Sequence, residues 1–106
     1  MLNKRVEGLL GLAFRARKII LGQGGIMAAK VEQVKLIIIA NDLNENSQQK
    51  LIRYAKENEI PYVIEGSKSA IGDALGKNEI GALALKDHSF AKEIRQILKK
   101  EGVING

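Results

Sequence analysis

The run Leu36-Ile-Ile-Ile-Ala40 constrains what this chain can fold into more than any other stretch. It is rich in β-branched residues and continuous, with no polar residue at alternate positions. A strand with one wet face alternates apolar with polar residues, whereas a strand covered on both faces does not. The run therefore predicts a sheet held between two layers of helix. The chain has 106 residues, which suits one domain. With 45% apolar and 27% charged residues it can bury a core, which excludes a disordered low-complexity class.

Helical and strand periods alternate around that run. Leu2, Val6, Leu9, Leu10, Ala13 and Phe14 recur every three or four residues, which predicts a first helix. Gly8 and Gly11 lie inside it at a cost of roughly 1 kcal/mol each against Ala, so close packing is expected at both. Lys18 to Leu21 reads as a strand ended by Gly22, and residues 24–33 read as a second helix. Asp42 and Glu45 have capping-box spacing, predicting a third helix to about Asn58 with Leu51, Ile52 and Ala55 inward. Pro61 starts a strand through Glu65, where its missing N–H is tolerated. Ser67 caps a fourth helix that stops at Gly76; Ile80 to Lys86 is a fourth strand. Asp87 opens a last helix with Phe90, Ile94, Ile97 and Leu98 inward and Arg95, Lys99 and Lys100 near its C-terminal end. The expected fold is α/β: a three-layer α/β/α sandwich around a four-stranded mixed sheet, with right-handed crossovers. Residues 1–101 form a single domain in this reading, and residues 102–106 a frayed tail.

Charge narrows the function. The formal net charge is +5. Residues 1–40 carry seven basic residues (Lys4, Arg5, Arg15, Arg17, Lys18, Lys30, Lys35) against Glu7 and Glu32, which accounts for all of it. Residues 41–106 hold ten of each sign. Such asymmetry points to an anionic partner, nucleic acid first. No cysteine is present, so a disulfide scaffold and a thiolate zinc site are excluded. Lys4, Arg5 and Glu7 interrupt the apolar N-terminal stretch, unlike a secretory leader. No apolar run approaches the ~20 residues a membrane span needs. A cytoplasmic monomer is expected.

Candidate chemistry is sparse. Gly22-Gln23-Gly24 follows a strand, and Asp42 lies 20 residues further on, close to a dinucleotide-binding βαβ pattern. The third glycine of that pattern would fall at Met27, whose long side chain cannot fill its role. His88 beside Asp87 reads as an exposed first-turn residue, and Ser67-Lys68-Ser69 lacks the spacing of a Ser-x-x-Lys dyad. No enzyme activity, cofactor or metal is expected. Arg15-Ala16-Arg17-Lys18 suits phosphate contact or complementation of a helix C-terminus. Phe14, Tyr54, Tyr62 and Phe90 are the only aromatic residues, and Phe14 and Phe90 fall on core faces. Base stacking on an open sheet is therefore disfavoured. Contacts would come from the edge of the sandwich: Arg15, Arg17, Lys18, Gly22, Gln23, Gly24, Gly25, Lys30, Asn41, Gly76, Lys77, Asn78, Glu79 and Ile80. The alternative is a protein-interaction module docking an acidic patch on the translation machinery.

Leu9 to Gly22 (LLGLAFRARKIILG), Lys35 to Leu51 (KLIIIANDLNENSQQKL) and Ser67 to Lys77 (SKSAIGDALGK) together carry a resemblance. In this order they resemble the bacterial YlxQ-like branch of the ribosomal-protein superfamily that includes the kink-turn binders L7Ae and L30e. The similarity covers about residues 2–100 and implies an α/β/α sandwich. It also implies binding to kink-turns or related RNA internal loops, and association with ribosomes or translation. In the kink-turn binders the helix after the first strand begins G-x-N-E-x-x-K. There the Asn and Glu read sheared G·A pairs and the Lys meets phosphate. Gly22 matches the glycine, whereas those three positions are Gly24, Gly25 and Ala28. Lys30, two positions beyond, points ~200° away from Ala28 if the helix continues. The loop that packs against RNA in the family is Gly76 to Ile80, polar at its tip.

Overall fold

A computed structural model describes residues 2–102. In chain order its elements are α1 (Lys4–Arg15), β1 (Ile19–Leu21), α2 (Gly22–Ala28), a 3-10 turn (Val31–Gln33) and β2 (Leu36–Ile39). They continue with α3 (Glu45–Glu57), β3 (Tyr62–Ile64), α4 (Lys68–Leu75), β4 (Ala82–Leu85) and α5 (His88–Lys100). The strands lie in the order β1-β4-β2-β3. β2 and β3 are parallel, and β4 is antiparallel to both its neighbours, with Leu85 opposite Ile19 on one side and Leu36 on the other.

Both central strands, β2 and β4, are buried along their whole length, which is why their sequences do not alternate. One face of the sheet presents Leu36, Ile38, Leu83 and Leu85 to Val6, Leu10 and Ala13 of α1, Ile71 and Leu75 of α4, and Ile94 and Leu98 of α5. The other presents Ile37, Ile39, Ala82 and Ala84 to Ile26 of α2 and to Leu51 and Ala55 of α3. Burial of each Leu or Ile contributes about 1.5–3 kcal/mol. The result is the three-layer α/β/α sandwich around a four-stranded mixed sheet that the sequence predicts. Among the described residues no helix is long and apolar enough to cross a membrane.

Several local expectations are corrected. Only β2–α3–β3 is a parallel crossover, because β4 inserts between β1 and β2. Strand order rests on contacts distant in sequence, which alternation of elements does not encode. α2 stops at Ala28 instead of reaching Gln33: Ala29 is already extended (φ −75°, ψ 157°), and Lys30 starts the 3-10 turn. Breaking the helix there brings Val34 into the second core. Lys30 is therefore not on the face of a helix shared with Ala28. Gly11 is tightly packed, since a Cβ there would lie 3.2 Å from the Ala74 carbonyl oxygen of α4. Gly8 faces open space, so the close packing expected at that position is absent.

The caps show which short-range signals held. Ser67 accepts from the Ala70 N–H (3.0 Å) and Asp87 from the Phe90 N–H (3.0 Å), as their spacing predicts. Gly76 ends α4 in the left-handed region at φ 71°. The third helix is capped by Asn44, which accepts from the Ser47 N–H at 2.8 Å. Asp42 instead accepts from the Lys68 N–H (2.8 Å) and so ties the loop after β2 to the start of α4. Asp42→Ala is expected to cost about 1 kcal/mol. Asp42→Asn, which keeps the acceptor, should cost less; denaturant melts with equal losses for the two would remove the cap. Of the tail expected over 102–106, Gly102 donates its N–H to Lys99 (3.0 Å), and residues 103–106 lie outside the described residues.

Candidate functional site

The strand directions decide which loops meet. β1, β2 and β3 all run toward one end of the sheet, and β4 starts there. Leu21 pairs with Leu83, so Gly22 lies beside the start of β4. The Ala40 N–H donates to Gly81 and the Asn41 N–H to Gly66, both at 2.8 Å. The Ile80 N–H donates to the Lys68 carbonyl (3.1 Å), which draws the 76–80 segment up to the same edge. Gly22 to Gly25, Asn41 and the end of the 76–80 segment are thereby gathered from three separate parts of the sequence.

Each part of this edge has a distinct character. The first turn of α2 is built from Gly22, Gln23, Gly24 and Gly25 and has no side-chain cap, unlike α1, α3, α4 and α5. Its leading N–H groups are therefore left to acceptors from outside the helix. Gly22 itself sits at φ 79°, a conformation glycine adopts without penalty. Asn41, Gly76, Lys77, Asn78 and Glu79 are exposed. Ile80 is only 8% exposed and packs into the first core, so its side chain anchors the segment from beneath.

The basic cluster does not stay together. The Arg15 guanidinium folds back over Gly11, with Nη1 3.4 Å from where a Cβ on that glycine would stand, close to the Ala74 carbonyl. The Lys77 ammonium lies 5.3 Å from the centre of the Phe14 ring, a cation–π contact at the α1–α4 junction. Arg15 and Lys77 thus flank the root of the 76–80 segment. Arg17 and Lys18 instead precede β1, at the end of the sheet remote from Gly22 and ~13 Å from it by strand rise. Lys30, beyond the end of α2, does not belong to the glycine turn either. Sequence reasoning passed over Lys35 and Lys86, which stand at the termini of β2 and β4; the available signal was that each apolar strand run is flanked by a lysine.

The dinucleotide reading does not survive this geometry. β1 and β2 are separated by β4, the Asp42 carboxylate is engaged by Lys68, and Met27 is 42% exposed instead of packed between helix and strand. Among the described residues no group of His, Cys, Asp or Glu could hold a metal ion.

Comparison with known proteins is consistent with this architecture. A solved structure of a protein of unknown function from Bacillus halodurans superposes with a TM-score of 0.86 at 29% identity, covering 92% of this chain and 99% of that one. The RNA-binding protein YlxQ of Bacillus subtilis is 29% identical over 91 residues, 85% of this chain and 91% of its own length. The RNA-binding protein YlxQ of Enterococcus faecium is 29% identical over 98 residues, 92% of this chain and 94% of its own length. The sequence pattern described as the ribosomal protein L7Ae/L30e/S12e/Gadd45 family matches residues 4–95, nearly all the secondary structure described above. This chain belongs to that family.

Proposed function

We propose that this chain is a non-enzymatic, cytoplasmic binder of structured RNA, associated with the ribosome or translation. In this reading residues 1–101 act as one domain, monomeric, without cofactor or metal. The observation that carries it is the convergence, in a member of this family, of an uncapped glycine turn, Asn41 and the 76–80 segment at one sheet edge. Backbone N–H groups of Gly22 to Gly25 meet phosphate, Arg15 and Lys77 neutralise it from the side, and Asn41 supplies hydrogen bonds. The names of the YlxQ relatives support RNA as the partner. Positions 24, 25 and 28 carry no base-reading side chain. Recognition of a kink-turn or related internal loop therefore rests on shape and phosphate.

Fluorescence anisotropy with a labelled RNA hairpin containing an internal loop tests this. With four or five phosphates neutralised, log K should fall against log salt with a slope of about −3 to −5. The double variant Arg15→Ala/Lys77→Ala should bind about tenfold more weakly while keeping the fold. Binding independent of salt would overturn the electrostatic reading. Cellular partners that survive RNase treatment of a pull-down would replace RNA by an acidic protein surface.

A further inference from the structure

At the end of the sheet opposite the glycine edge, three neighbouring strands terminate on lysine. Lys18 precedes β1, Lys86 follows β4 and Lys35 precedes β2. The Lys86 N–H donates to the Lys18 carbonyl and the Lys35 N–H to the Leu85 carbonyl, each at 2.8 Å, so the three chains stand side by side. Adjacent strands are ~4.8 Å apart, which confines the row to roughly 10 Å. The register Ile19↔Leu85 continues to Lys18 and Lys86, and like charges set opposite each other in this way repel. Lys18 and Lys86 are exposed, and Lys35 is half-buried. Beside them Arg17, also exposed, is held at φ 61°, where glycine would be the ordinary choice. Asp87, the acid next to Lys86, has its carboxylate engaged by the Phe90 N–H.

A row of cations closer together than the ~8 Å Debye length acts on a passing anion as one field. Its mutual repulsion is relieved when a polyanion lies along it. Hot spots of protein interfaces are enriched in Trp and Tyr, with Arg. All four aromatic residues here are part-buried, which leaves no exposed aromatic anchor on this chain. We propose that Arg17, Lys18, Lys86 and Lys35 form a second phosphodiester-binding surface that grips a backbone segment of the same RNA at the far end of the sheet. The proposal rests on the RNA-binding reading above, and it adds that the RNA reaches both ends of the sheet, ~13 Å apart by strand rise.

The test compares the full chain with the triple variant Lys18→Gln/Lys35→Gln/Lys86→Gln on the labelled internal-loop hairpin, over a series of salt concentrations. The triple variant should lose about two to three units of log–log salt slope, at 0.7 to 0.9 per phosphate. Its melting temperature should stay level or rise, because the repulsion is gone. The matching Lys→Arg triple should keep the slope of the unchanged chain. Equal slopes for the unchanged and Gln variants would overturn the second surface while leaving the glycine edge standing. No binding by the unchanged chain would overturn both. Binding of the unchanged chain to poly-glutamate as tight as to RNA, lost in the Gln triple, would give the row to an acidic protein instead.

Discussion

Gly72→Ala is expected to lower the melting temperature by about 10–20 °C. Gly72 lies inside α4, and the chain beyond that helix folds back against it: a Cβ at this position would lie 2.2 Å from the Asn78 carbonyl oxygen and 2.7 Å from its carbonyl carbon. Both are backbone atoms, so no rotamer change relieves the overlap. The Lys77 N–H also donates to the Gly72 carbonyl at 2.8 Å, which ties the same two segments together. Overpacking at such a point costs about 2–3 kcal/mol, and each kcal/mol moves the midpoint of a domain this size by about 4–8 °C. RNA affinity should fall as well, because the atoms displaced belong to the 76–80 segment. Gly8→Ala is the control: its Cβ meets nothing within 4 Å, and relief of glycine's helix penalty should stabilise by about 0.5–1 kcal/mol. Calorimetry showing no loss for Gly72→Ala would contradict the packing described.

The second large effect is a gain. Gly24→Asn/Gly25→Glu/Ala28→Lys would write the side chains of the kink-turn binders back onto α2. Space exists for them. A Cβ at Gly24 meets nothing within 4 Å, Ala28 is exposed, and at Gly25 the nearest atom is the Ile20 Cγ2 methyl at 3.1 Å. That methyl belongs to a half-buried side chain, which can give by a few tenths of an ångström. Each well-made base contact contributes about 1–3 kcal/mol of discrimination, so two should raise affinity for a kink-turn RNA about 100-fold or more. Affinity for an uninterrupted RNA duplex should change far less, since only the added lysine acts there. Equal gains on both RNAs would mean that the edge does not receive sheared G·A pairs.

How much was legible follows from the range of each interaction. The Leu36–Ala40 run announced a doubly covered strand, and hence the layers, because burial on both faces is written into every residue of it. Ser67, Gly76 and Asp87 were legible because a cap acts within one turn of its own helix. Asp42 has the right residue type for a cap, but the N–H it meets is 26 residues away, and no local spacing reports that. The same limit hid the insertion of β4 between β1 and β2. Of the candidate site, the loops following β1 and β2 and the segment before β4 do meet at one edge of the sheet. Arg15 and Arg17, two residues apart, are nonetheless parted by the turn between a helix and a strand. Lys35 and Lys86 went unnoticed because their neighbourhood exists only once the sheet has formed.

That central β4 also sets when the molecule can come into being. During synthesis β1 emerges early, yet its partner across Ile19↔Leu85 arrives only 66 residues later. Until then β2 and β3 have only each other to pair with, a two-stranded ribbon too small to be stable alone, and β1 has no partner. Chain closure over so long a separation is slow, and it comes late. A product terminated before Ala82 lacks the strand that joins the two halves of the sheet. It carries most of the basic residues and the whole glycine turn, but no framework to hold them in place. Such a product is expected to be cut faster than the full chain in limited proteolysis.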